Sequence, residues 1–251
     1  MDLAQFMTVQ IMGFAMVFAR IGSVMVFLPG FGDRQVPVRH RLFFALVLCA
    51  ALLPAIPLGP LDLGAPSALV AGFAIEVTIG MWIGINARIL MSALQFAGYQ
   101  IGYVSGLANA FAPNTGAFEG ATMIASALLM AGTTLIFVTD LHHVMIGALL
   151  MSYEVFPPGL LMPGDLAEQT VRASAMSLYI GLALTAPFFV LGIVLNIGLG
   201  LANRMMPTLP VFFVAAPVLI AAGLFTMVVA VPSMLRMMIA ELAEWLGRLT
   251  F

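Results

Sequence analysis

SALVAGFAIEVTIGMWIGINA, residues 67–87, is an apolar run in which Glu76 is the only formal charge. About 20 apolar residues in helical conformation cross the hydrocarbon core of a bilayer, so this stretch reads as a membrane helix with an acid at its middle. Five more runs of the same kind flank it, at residues 3–28, 42–56, 121–138, 173–201 and 211–231. Together they make the chain an all-α membrane protein with about six apolar helical segments.

Composition agrees. Of 251 residues, 63% are hydrophobic and 8% charged, against about 45–50% and 25% in soluble domains. Nine Arg, no Lys and eleven Asp plus Glu leave a water-soluble globule no surface to show the solvent. A cytosolic enzyme and a disordered chain are excluded. A net charge of −2 without a basic patch excludes nucleic acid as a partner. Cys49 is the only cysteine, so neither an internal disulfide nor a cysteine metal cluster is available. Asp2 precedes the first run where a secretory signal would be basic, and no small-residue cleavage site follows, so the run reads as mature structure.

Three runs are irregular. Arg20 interrupts the first, Pro54 closes a short second one, and Pro187 with Asn196 lie inside the fifth, which leaves room for hairpins or broken helices. Beyond the sixth, Ser233 can cap a helix in which Leu235, Met238, Ile239, Leu242, Leu246 and Leu249 recur at helical spacing. Arg236, Glu241, Glu244 and Arg248 fall opposite, which predicts a C-terminal amphipathic helix on a membrane or a partner. Arg34, Arg39 and Arg41 cluster after the first run, Arg88 follows the third and Arg204 the fifth. Asp62, and then Asp140, Glu154, Asp165 and Glu168, occupy the alternate connections, which places the N-terminus outside and the Arg-bearing turns in the cytoplasm.

Gly72, Glu76, Gly80 and Gly84 form one stripe at i+4 spacing, and Gly98, Gly102 and Gly106 another. Such glycines let helix backbones approach closely, within a chain or between subunits. Arg20 and Glu76 are the ionisable groups deepest in apolar runs. A central Arg costs about 2.5–3.5 kcal/mol on the insertion scale, so each should face protein, pairing with the other or reaching a neighbour. The bland role is helix–helix glue; the sharper one is a small secondary transporter that uses both residues.

His142 and His143 beside Asp140 suggest a metal, but adjacent residues on a helix point about 100° apart, and i,i+4 spacing is what a shared ion needs. Histidines at an interface are the expected reading, with no metal and no cofactor. There is no H-E-x-x-H and no G-x-S-x-G, and without Lys neither a P-loop nor a Schiff base is possible, so no catalytic site is expected. The 19 Met read as adaptable core filler.

Residues 98–120, GYQIGYVSGLANAFAPNTGAFEG, are too polar and Gly-rich for lipid yet too apolar for a solvated loop. Phe111 and Phe118 flank a Pro113–Asn114 turn signal. Irregular backbone survives at membrane depth only when buried in protein or lining a cavity, so a loop tucked inside an assembly is expected.

In this order and spacing, several stretches resemble the FliR family of flagellar export-gate proteins, whose counterparts serve type III secretion injectisomes. The resemblance rests on residues 19–22 (ARIG), 29–32 (PGFG), 37–41, 76–80, 95–106, 140–143, 152–159 and Asn203-Arg204 before Pro207. Leu141 departs from the Gly usual in that family, and Pro210 from an Asn. The resemblance implies a non-enzymatic channel component in the flagellar basal body of the bacterial inner membrane. It implies a FliP-like part at residues 1–172 fused to a FliQ-like part at 173–251, built from long hairpins within a helical hetero-oligomer. Several copies of FliP and FliQ, with FlhB, would be the partners, and exported proteins would pass transiently. The family's channel plug corresponds to about residues 106–120 here, with Gly106, Phe111, Pro113 and Phe118 as its marked positions.

Overall fold

A computed structural model describes residues 3–57, 65–108, 117–206 and 211–247. These residues are almost entirely helical and contain no strand: α1 (Leu3–Phe27), α2 (Val38–Leu52, prolonged by a 3-10 turn at Leu53–Ala55), α3 (Pro66–Val104), α4 (Ala117–Val138), α5 (Leu141–Val155), α6 (Pro163–Met205) and α7 (Val211–Gly247). All but α5 are long and apolar enough to cross a membrane.

The apolar runs seed these helices, and several outgrow them. α3 has 39 residues and α6 has 43, so at 1.5 Å per residue they measure about 58 and 64 Å, roughly twice the hydrocarbon thickness. The 98–106 stretch, read as irregular from its glycines, stays helical through Val104. Pro187 does not split α6, and Pro217 and Pro232 lie inside α7. Residues 233–247 form no separate helix: they continue α7, and the Ser233 hydroxyl donates to the Ala230 carbonyl within it where a cap was expected. Along these last turns Leu235, Met238, Leu242 and Leu246 are buried while Arg236 and Glu244 are exposed.

Two compact units emerge, each discontinuous in sequence. The first draws on the chain up to Leu90, Ile136–Ser174 and the end from Leu242; the second on Met91–Leu135 and Ala175–Glu241. In the first unit Val17, Ile21 and Val24 of α1 are buried with Leu28 just after it, as are Ile79 and Ile83 of α3 and Met145 and Leu149 of α5. In the second, Leu94, Ala97 and Ile101 of α3 are buried with Ala121, Ala125 and Leu128 of α4.

Within the first unit Phe31 stacks on Phe44 at 5.1 Å and meets Phe137 edge-on at 5.5 Å. The turn after α1 and the turn after α4 therefore lie at the same end of that unit. Alternation of charge put them on opposite sides of the membrane, and packing overrules it. The reason is α5, read as a plain connection: it starts at Asp140 and returns alongside α1 without being long enough to span.

Candidate functional site

The most tightly built polar site of the first unit surrounds Arg20. Gly72, Glu76, Gly80 and Gly84 share one face of α3 by their i+4 spacing. A Cβ at Gly80 would collide with the Arg20 carbonyl and the Ser23 hydroxyl, and one at Gly84 would stand 2.8 Å from Phe27 Cβ and 3.0 Å from the Val24 carbonyl. At Gly72 it would meet Met16 Cε. The stripe brings the α3 backbone against α1, and Glu76, on the same face, arrives at the Arg20 side chain.

The pair is bidentate: Arg20 Nε donates to Glu76 Oε2 at 2.6 Å and Nη2 to Oε1 at 3.0 Å. Nη1 donates to the Ser152 carbonyl at 2.9 Å with the Ser152 hydroxyl at 3.4 Å, and Nη2 also to the Phe156 carbonyl at 2.9 Å. A guanidinium has five N–H donors in a fixed fork, and every one has an acceptor. Its carbon lies 3.9 Å from the centre of the Tyr153 ring, close enough for a cation–π contact. The Arg20 and Glu76 side chains are 0% and 1% exposed.

Ser152 and Phe156 close the C-terminus of α5. The Ser152 carbonyl also accepts the Phe156 backbone N–H at 3.0 Å, and the C-terminal end of a helix carries the negative end of its dipole, so a cation is well matched there. Arg20 thus ties α1, α3 and α5 at one buried point. Phe156 in turn meets Trp82 edge-on at 5.6 Å. The Trp82 indole N–H donates to the Leu166 carbonyl at 2.9 Å and the Thr170 hydroxyl at 3.0 Å, and Asn86 Nδ2 donates to the Trp82 carbonyl at 2.8 Å. The two Trp82 indole bonds fasten the start of α6 to α3, and the Asn86 bond lies within α3. Such an arrangement can hold helices in place: Arg20 keeps no vacant donor with which to relay a proton, and the polar atoms left unpaired around it are the buried Tyr153 hydroxyl and Asn86 Oδ1.

In the second unit the other glycines meet α4. A Cβ at Gly98 would collide with Ala125, and one at Gly102 would stand 2.9 Å from Ala121 Cα. Gly106 follows the end of α3 with φ +70°, the left-handed geometry of a glycine helix stop, and a Cβ there would come no nearer than 3.9 Å to Leu219. Phe111 and Pro113 lie outside the described residues, and of Phe118 only the backbone, in the first turn of α4, is described.

Asp140 opens α5 with φ 57°. The His142 and His143 rings lie 4.1 Å apart between centroids, and Asp140 Oδ1 is 3.8 Å from His143 Nδ1. The divergence expected for neighbouring helical residues is not seen in this first turn.

The family described as bacterial export proteins, family 1, matches residues 11–245. This chain belongs to it. The flagellar biosynthetic protein FliR of Caulobacter vibrioides is 39% identical over 216 residues, covering 84% of each chain. The FliR of Bacillus subtilis is 27% identical over 225 residues, 86% of this chain and 85% of that one, and the FliR of Escherichia coli K12 is 26% identical over 206 residues, 81% and 78%. Arg20, Glu76, Ser152 and Phe156 all fall inside the range matched to the export family.

For this export-family member, sequence reasoning singled out Arg20 and Glu76 and missed Ser152, Tyr153, Phe156, Trp82, Asn86 and Thr170. Ser152 and Tyr153 together interrupt the apolar run of α5, and that was the available hint. The carbonyl acceptors carry no residue signature.

Proposed function

We propose that this chain is a structural subunit of the flagellar type III protein-export gate in the bacterial inner membrane, with no catalytic turnover of its own. The family match over residues 11–245 carries the reading, together with the FliR relatives on both sides of 30% identity. The saturated Arg20 node favours a scaffold over the secondary transporter that Arg20 and Glu76 would otherwise suggest. In this reading residues 1–172 act as a FliP-like part and 173–251 as a FliQ-like part, the chain assembles with several copies of FliP and FliQ, and FlhB engages the assembly. The segment 106–120 plugs the closed channel through Phe111 and Phe118, supported by its Gly-rich but apolar composition.

The test is affinity purification of the tagged chain from mildly solubilised native membranes, with mass spectrometry of what accompanies it. A large stable particle with FliP-like and FliQ-like chains is expected; a clean monomer or homodimer across several detergents would overturn the reading. In the assembled gate, Phe111→Ala with Phe118→Ala should raise ion leakage. Unchanged conductance with normal assembly would remove the plug role.

A further inference from the structure

Asp140, His142 and His143 bring one donor atom each to within 4.8 Å of one another at the turn between α4 and α5. The commonplace hydrogen bonds of such residues are not made, although Asp140 and His143 stand at ion-pair distance and the His142 ring lies beside Phe137. Asp140 sits at the N-cap of α5 yet makes no side-chain cap hydrogen bond. Its carboxylate is 3.8 Å from His143 Nδ1, beyond hydrogen-bond range. His142 Nδ1 is shut off from solvent and has no hydrogen-bond partner. Two imidazoles and a carboxylate therefore converge without satisfying one another.

We propose that these three side chains bind a late first-row divalent cation, of which Zn2+ fits best. An N2O donor set suits Zn2+, Ni2+ or Cu2+, whereas Mg2+ and Ca2+ require oxygen ligands. With Zn–N and Zn–O bonds of about 2.0–2.2 Å, tetrahedral donors stand roughly 3.4 Å apart. The 3.8 Å between Asp140 and His143, and separations of up to 4.8 Å within the trio, close to that by side-chain rotation. Asp140 and His143 are 77% and 71% exposed, so an ion can enter from water and keep a fourth position for water or a partner's donor. Bound there, it bridges the turn to the first turn of α5, the helix whose other end is held by Arg20.

The probe is Zn2+ alone, added to the full chain in detergent and carrying a tag without histidine. Saturable uptake of one Zn2+ per chain, measured by elemental analysis after dialysis, is expected. So is a melting midpoint that rises with Zn2+ by mass action. H143A, which removes an exposed ring, should weaken uptake by about tenfold or more while leaving the metal-free melting midpoint in place, and D140N should do the same. Mg2+ should not compete. Absence of saturable uptake, or uptake equal in wild type, H143A and D140N, would overturn the site.

Discussion

Every N–H of Arg20 has an acceptor, so substitutions at this point should act through what they leave unpaired. Removing two charges from water costs several kcal/mol per ion, and only excellent geometry recovers it. Here the recovery comes from a bidentate carboxylate, two helix-end carbonyls and an aromatic face. Glu76→Ala strands the guanidinium and should cost about 3–5 kcal/mol, seen as a lower melting midpoint of the purified chain by tryptophan fluorescence. Arg20→Met combined with Glu76→Met removes both charges and should restore most of that loss. If the double variant melts as low as Glu76→Ala, the unpaired charge is not the cause. The two charged residues were legible because charge in an apolar run is costly. Their remaining partners were not, since the acceptors are main-chain oxygens more than 130 residues away in sequence.

At the scale of elements, glycine spacing carried more information than polarity. Residues 98–104 look like loop by composition, yet they stay helical because Gly98 and Gly102 are where α4 comes closest. Small polar residues signal a loop only when nothing packs on them. α5 was missed for the converse reason: its acidic ends dominated the reading, and its 15 residues fell short of a span. The glycines also separate by consequence. A Cβ at Gly98 runs into the α4 backbone, whereas at Gly147 in α5 it meets open space. Gly98→Ala should therefore push α4 away and lower the melting midpoint. Gly147→Ala should raise stability by up to about 1 kcal/mol from helix propensity. Equal shifts for the two variants would mean that the close approach at Gly98 does not contribute.

For the whole molecule, the amount of apolar surface left uncovered bears on assembly. On α7, Val218, Phe225, Val228 and Val229 line up at helical spacing, with Phe225 72% and Val228 75% exposed. Either acyl chains or a neighbouring subunit cover such a stripe, and the two make different demands. Lipid tails are as apolar as the side chains and adapt to any of them, whereas helix association in a membrane depends on van der Waals fit. Phe225→Ala with Val228→Ala deletes that fit and removes nothing buried within the chain. If this face docks a partner of the export gate, co-purification of FliP-like and FliQ-like chains should fall sharply while the melting midpoint of the isolated chain stays unchanged. Recovery equal to wild type would assign the stripe to lipid and move the subunit contacts to another face. A fall in the melting midpoint alongside lost partners would show that the stripe supports the chain's own fold, against its exposure. The sequence reading reached the six spans and the family, because both are written in local composition and order. It could not reach which apolar faces stay open, since for this stripe that depends on how residues 91–135 and 175–241 gather into one unit.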